Sequence, residues 1–224
     1  MSLLRIDSSA RSHSVSRQLT SVFVESWKEL NPGAEVIERD LARTVLPHIT
    51  DDWLATFEDP SKLTPEQQAY LSTSDELIQE LLAADVVLIG APMHNFTVSW
   101  ELKAWIDQVV RVRRTIVYDA QGPRGLIKDK KVIVVTSRGG SYAPGTPRFQ
   151  SDFQEPYLRR ILGFMGLTDV TFIHAENQMR SDLAKDAKAA ALEQTGIMAR
   201  RFAGVGQQGE RASAAEVPIL KQVG

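Results

Sequence analysis

Three short stretches of this chain collect the residue types that bind ligands. Ser8, Ser9, Ser12, Ser14 and Ser16 crowd a first polar loop; Pro92-Met-His-Asn-Phe-Thr-Val-Ser99 and Ser137-Arg-Gly-Gly-Ser-Tyr142 each follow an unbroken apolar run. Hydroxyls ahead of a helix suit a phosphate, because the helix's first free N–H groups and its dipole favour an anion. The same serines also suit plain N-capping and turn formation. Gly139-Gly140 removes two side chains at a strand end, so that a flat ring can approach the backbone, although a paired glycine is more often a turn. Met93 and Phe96 have the shape to lie against such a ring, with backbone N–H groups near Asn95 facing its heteroatoms; the core is the other place for them.

No acid–base apparatus stands out. The four histidines, His13, His48, His94 and His174, lack metal-ligand spacing, so no metal is expected. His94 alone sits among the ring-binding candidates, where it could donate a hydrogen bond to a reducing substrate. Ser8 or Ser9 as a nucleophile would make a serine hydrolase, but there is no G-x-S-x-G elbow and no histidine–acid pair to assign. The chain has no cysteine, so disulfides and thiol chemistry are excluded and any redox role needs a cofactor. Gly204-Val-Gly-Gln-Gln-Gly209 fits G-x-G-x-x-G but follows a helical pattern with too few residues after it for a βαβ unit, which speaks against a dinucleotide site there.

The elements that must hold these loops alternate. Leu3 to Ile6, Glu35 to Asp40, Asp85 to Ala91, Lys131 to Thr136 and Val170 to His174 read as strands, the central ones buried on both faces. Helices are expected from about Ser16 to Leu30, from Thr64, from Ser99 to Arg111, from Phe153 to Met165 before Gly166, and through Ala187, Ala191 and Met198 to about Phe202. Thr64 as N-cap, Pro65 at the first position and Gln67 at the third form a strong start signal. Gln121-Gly-Pro-Arg-Gly125 reads as a turn. Leu41 to Leu63 is irregular, either a lid or a solvated excursion with a short helix of its own. The result is an α/β fold, a doubly wound parallel sheet of five strands. It suits the flavodoxin-like order 2-1-3-4-5, which binds flavin mononucleotide (FMN) at the switch point between strands one and three. That order brings the loops after strands one, three and four together.

Length and charge are consistent with this. The 224 residues suffice for one sizeable core, taken as a domain over 1–204 with a loosely attached tail over 205–224. Net charge is −2 with acids and bases interspersed, so neither nucleic acid nor a membrane is an expected partner. The start of the chain lacks the apolar stretch of a signal peptide, and a cytoplasmic setting is expected.

Ser8-Ser9 with Ser14-Val-Ser16, Pro92-Met-His-Asn-Phe96 followed by Leu102-Lys-Ala-Trp-Ile-Asp107, and Thr136-Ser-Arg-Gly-Gly140 together resemble the bacterial FMN-dependent NADH:quinone oxidoreductases, or azoreductases. Tyr157 to Gly166 with Thr168-Asp-Val170 is similar to the same family, and the likeness extends to about Phe202. The resemblance implies a homodimer with one noncovalent FMN per subunit at the interface. Reduction would be ping-pong, from NADH or NADPH to a quinone or azo compound. Carried over by position, Ser9, Ser14, Val15 and Ser16 would hold the phosphate side, Met93, His94, Asn95 and Phe96 would run along the isoalloxazine, and Ser137, Arg138, Gly139 and Gly140 would line its pyrimidine end. His94, Asn95, Arg113, Ile116 and Phe164 become substrate-pocket candidates, Phe164 toward the partner. His94 replaces the family's usual tyrosine; Arg113 and Ile116 stand where Gly and Phe are usual, which leaves substrate range open. A flavodoxin-type electron carrier is the alternative, and the long Leu41 to Leu63 excursion argues against it.

Overall fold

The computed structural model describes residues 1–57 and 63–213. In chain order the elements are β1 (Leu3–Asp7), α1 (Val15–Leu30), β2 (Val36–Asp40), α2 (Asp51–Ala55), α3 (Pro65–Ala83), β3 (Val86–Pro92), α4 (Trp100–Val109), β4 (Ile116–Asp119), β5 (Gly122–Gly125), β6 (Lys131–Ser137), α5 (Gln154–Met165), β7 (Asp169–Ala175) and α6 (Ala184–Ser213). The main sheet is entirely parallel in the order β2-β1-β3-β6-β7, which is the 2-1-3-4-5 arrangement once β4 and β5 are set aside.

Burial along the strands follows from this order. All seven residues of central β3 are buried, whereas the edge strands β2 and β7 are largely half-exposed. Successive side chains of a strand point to opposite faces, and two cores result. Leu4, Ile6, Val87, Ile89, Val132 and Val134 pack with residues of α3, α4 and α5. Leu3, Val86, Leu88, Ile133 and Val135 pack with α1 and α6 through Phe23, Trp27 and Phe202.

Local chemistry sets the helix ends. Ser14, Thr64 and Ser99 each accept a backbone N–H in the first turn of α1, α3 and α4, and Thr64 forms the full capping box with Gln67. Gly166 ends α5 with φ of 99°, a conformation open to glycine without strain.

Two features differ from expectation. Residues 122–125, read as a turn, form β5 of an antiparallel hairpin with β4. A Cβ on Gly125 would lie 2.1 Å from the backbone nitrogen of Gly166, so the hairpin seats directly on the end of α5. α6, expected to stop near Phe202, continues to Ser213; Gly204 to Gly209 therefore lies within a helix, and residues 214–224 of the expected tail lie outside the described residues. In the Leu41 to Leu63 excursion, α2 is the short helix, and Leu41, Leu46 and Trp53 bury against the domain; 58–62 lie outside the described residues.

Candidate functional site

The first loop is tied down by residues far away in sequence. Ser8 is fully buried and its Oγ donates to the carbonyl of Gly90 at 2.8 Å, while its own carbonyl accepts from Ser99 Oγ at 3.1 Å. Arg17, from the first turn of α1, donates through Nε and a terminal nitrogen to the carbonyl of Ser9 at 3.1 and 2.7 Å. Beneath the loop, burial pushes the Asp7 carboxyl up from its usual value, against the pull of Arg5 at 2.8 Å and the Thr20 hydroxyl. Gly90 leaves room for that carboxylate, since a Cβ there would meet Asp7 Oδ1 at 2.6 Å. Ser14 caps α1 and lies 3.3 Å from Ser16 Oγ. The backbone N–H groups of Val15 and Ser16 donate to no acceptor among the described residues. Ser14 thus caps the helix while two of its first N–H groups stay without a partner among the described residues, an arrangement that suits an anion. Among the described residues no histidine hydrogen-bonds Ser8 or Ser9, so a hydrolase triad is not assembled.

The second loop is a tight two-residue turn. His94 and Thr97 exchange both backbone hydrogen bonds, at 2.9 and 3.0 Å, and between them Asn95 and Phe96 have φ of 47° and 72°. Positive φ at both central residues is the type I′ signature. The turn holds Asn95 and Phe96 at its tip with backbone N–H groups unclaimed among the described residues. Phe96 is 48% exposed and meets Tyr142 edge-on, with ring centres 6.4 Å apart. His94 is exposed at the turn's base.

The third loop is joined to the second and to the loop after β7. Met93 N–H donates to the carbonyl of Ser137 at 2.9 Å. Buried Gln154 donates to the carbonyl of Ala91 and accepts from Arg138 Nε, a bridge across two strand ends. The carbonyls of Arg138, Gly139 and Gly140 accept from Gln178, Met179 and Asn177, leaving the N–H groups of Gly139 and Gly140 free among the described residues. Arg138 itself is 2% exposed; it pairs with Asp152 at 3.0 Å and with Glu176 at 3.7 Å. Its guanidinium is therefore an internal brace for the loop, and Arg138, like the predicted Ser137 and His94, is not among the residues that line the cavity beside it.

Second and third loops enclose a cavity of about 640 Å³, within the roughly 300–1,000 Å³ of small-molecule sites. Met93, Asn95, Phe96, Gly139 and Gly140, all predicted, line it. Tyr142, Arg148, Asn177, Met179 and Arg180 line it as well, and the last three come from a loop after the final strand that sequence reasoning did not include. The polar run Glu176-Asn-Gln after β7 was the available signal, at the same end of the sheet. Arg113, Ile116 and Phe164 do not line this cavity: Arg113 is exposed with φ of 65°, Ile116 is 3% exposed in the core, and Phe164 packs against the core. Arg111 and Arg114, beside Arg113, are anchored to Asp75 of α3 at 2.9 and 2.6 Å. No group of His, Cys, Asp or Glu among the described residues has a metal-binding arrangement.

Comparison with known proteins places the chain in a family. A family model described as flavodoxin-like fold covers residues 1–196. The chain is 56% identical over 179 residues to FMN-dependent NADH:quinone oxidoreductase 1 of Trichormus variabilis, covering 79% of this chain and 84% of that protein. It is 46% identical over 194 residues to the FMN-dependent NADH:quinone oxidoreductase of Azotobacter vinelandii, covering 85% and 96%. Among solved structures, an FMN-dependent NADH-azoreductase from Bacillus anthracis in complex with FMN superposes with a TM-score of 0.83 at 27% identity, over 91% of this chain and all of that one.

Proposed function

The chain belongs to the flavodoxin-like family that includes the FMN-dependent NADH:quinone oxidoreductases, and from that premise we propose that it is such an enzyme, reducing quinones or azo compounds with NADH by a ping-pong exchange. The observation that carries this reading is the set of free backbone N–H groups at Asn95, Phe96, Gly139 and Gly140 around one cavity at the carboxyl end of the sheet. They suit the acceptor edge of a flat heterocycle, and the glycines keep side chains out of its way.

The residues present fit FMN. Ser9, Ser14 and the N–H groups of Val15 and Ser16 would hold its phosphate at the start of α1. Met93 and Phe96 would flank the ring, and the backbone of Ser137 to Gly140 would face its pyrimidine edge. When bound, FMN would supply the two-electron hydride chemistry between NADH and the acceptor. The protein's part is placement. Arg17 and Gln154 fix the loop backbones, the Arg138 brace keeps Gly139 and Gly140 in position, and the N–H donors would stabilise negative charge at the ring edge as in an oxyanion hole. His94 would act as a donor at the outer wall of the turn, and Phe164 would face the partner's pocket.

The reading includes a homodimer and a cytoplasmic setting, where NADH is available. No helix among the described residues is long and apolar enough to cross a membrane. The test is spectroscopic. The protein is expected to bind FMN with its two visible bands, to lose colour on anaerobic addition of NADH, and to regain it with a quinone. A protein that takes up no FMN, or one whose bound FMN NADH does not bleach, contradicts the proposal.

A further inference from the structure

A second cavity, of about 880 Å³, lies behind the third loop and is lined by residues of β7, α5 and α6. Helices α5 and α6 pack on opposite faces of the sheet, so a cavity that touches both wraps the free edge of β7, the last strand. The segment 141–150 stands between the two cavities. Thr146, Pro147 and Arg148 line the first, whereas Ala143, Pro144, Phe149 and Gln150 line the second. Only Tyr142 and Asn177 line both, so a ligand in the second cavity would not take the flavin's place.

Ala187, Ala190 and Ala191 of α6 keep this cavity wide, and Tyr142, Phe149 and Pro156 give it flat apolar walls. Its charges neutralise one another. Arg138 meets Asp152 at 3.0 Å and Glu176 at 3.7 Å, and Glu155 receives Arg159 at 2.7 Å and His174 at 2.9 Å. Asp152 and Glu176 also accept the backbone N–H groups of Gln154 and Tyr142. A charged ligand would have to break into one of these pairs, which favours an uncharged one. One donor is left over. The second terminal nitrogen of Arg138, a side chain only 2% exposed, is buried with no hydrogen-bond partner among the described residues, and the Glu155 carboxylate stays 3.8 Å from it. A buried donor without an acceptor is costly, and a neutral carbonyl oxygen would satisfy it without disturbing the ion pairs around it.

We propose that this cavity is a second small-molecule site, for a flat, uncharged aromatic compound whose ring carbonyl accepts a hydrogen bond from Arg138. The ring rests against Tyr142, Phe149 and Pro156, with the carbonyl turned inward to the guanidinium. An anion would face three carboxylates there, and a cation two arginines. The site is independent of the flavin and of the function proposed above.

The experiment is equilibrium dialysis of the FMN-loaded protein, without NADH, against 9-fluorenone and against fluorene, which differ only in the ring carbonyl. The wild type is expected to bind fluorenone about threefold to tenfold more tightly than fluorene, and more tightly than the anion 9-fluorenone-4-carboxylate. Arg138→Lys keeps a cation for Asp152 but has a single nitrogen, so the advantage of fluorenone over fluorene should disappear. Ala187→Phe, at a half-buried position of α6, and Ala190→Phe, at an exposed one, fill the cavity from its far wall. Both should bind fluorenone at least tenfold more weakly while FMN affinity stays as in the wild type. Equal affinity for fluorenone and fluorene in the wild type overturns the proposal, because the carbonyl is then not recognised. Undiminished fluorenone binding in the two alanine variants also overturns it, placing the probe elsewhere, as in the flavin cavity. No turnover is involved, so a protein whose bound FMN is not reduced by NADH would defeat the proposed function while leaving this comparison intact.

Discussion

Phe96 shows at a single residue how this site trades stability for placement. Its φ of 72° lies in the left-handed region, which costs a non-glycine residue about 1–2 kcal/mol, and its side chain is half exposed. Asn-Gly would suit the turn better. The chain instead presents an aromatic face to the cavity, as strained residues at binding sites often do. Phe96→Ala and Phe96→Gly remove the same ring, but only glycine relieves the backbone. Phe96→Gly is therefore expected to be more stable than Phe96→Ala by about 1 kcal/mol in urea unfolding, with FMN binding weakened in both. Equal midpoints would show that the turn relaxes. Pro92 to Phe96 was legible as a binding loop because it stops an apolar strand, yet the turn type was not, since Asn-Phe carries no turn signature. Arg17 and Gln154 were equally hidden. Each works by donating to a carbonyl distant in sequence, and nothing in local spacing reports that.

Among the elements, α5 and β7 are joined by a contact that responds to acid. Glu155 of α5 receives His174 Nε2 of β7 at 2.9 Å, while Thr136 Oγ1 of β6 lies 2.8 Å from His174 Nδ1. The His174 hydrogen bond, acting against partial burial and aided by Arg159, lowers the Glu155 carboxyl from its ordinary 4.5 to about 2. A depressed carboxylate contributes stability that is complete above its unfolded value and lost as pH falls through the folded one. The melting temperature of the wild type should therefore exceed that of Glu155→Gln most clearly above pH 4.5, and the gap should close as pH falls to about 2. A gap independent of pH would show that the glutamate acts through packing alone. The hairpin of β4 and β5 was the element missed in sequence. Gly122-Pro-Arg-Gly125 has the composition of a turn, and what makes it a strand is tertiary, the seating of Gly125 against Gly166. Pro123 is tolerated there because a two-stranded ribbon is all edge.

For the whole molecule, the sheet order was readable because buried strands and amphipathic helices alternate with few interruptions, and the cavity lies at the carboxyl end of the strands to which that order points. What the monomer does not explain is its apolar surface at that end. Trp100 is 63% exposed in the first turn of α4, which follows the second loop, and Phe153 is 60% exposed with its N–H donating to the carbonyl of Phe96 in that loop, so both residues start elements that leave from beside it. Exposed aromatics grouped in this way are the usual anchors of a protein interface. If two chains meet here, as the proposed homodimer requires, each flavin site is completed by its neighbour, and dissociation must weaken FMN binding. Trp100→Asp places a charge at an already exposed position, so the fold of the single chain should survive, with an unchanged far-ultraviolet circular dichroism spectrum. Sedimentation velocity should then show two chains per particle in the wild type and one in the variant. FMN affinity should fall by about tenfold or more, the loss of an anchor worth upwards of ~1.4 kcal/mol. A wild type that sediments as one chain, or a monomeric Trp100→Asp that binds FMN at full affinity, would show that the cavity is complete within a single subunit.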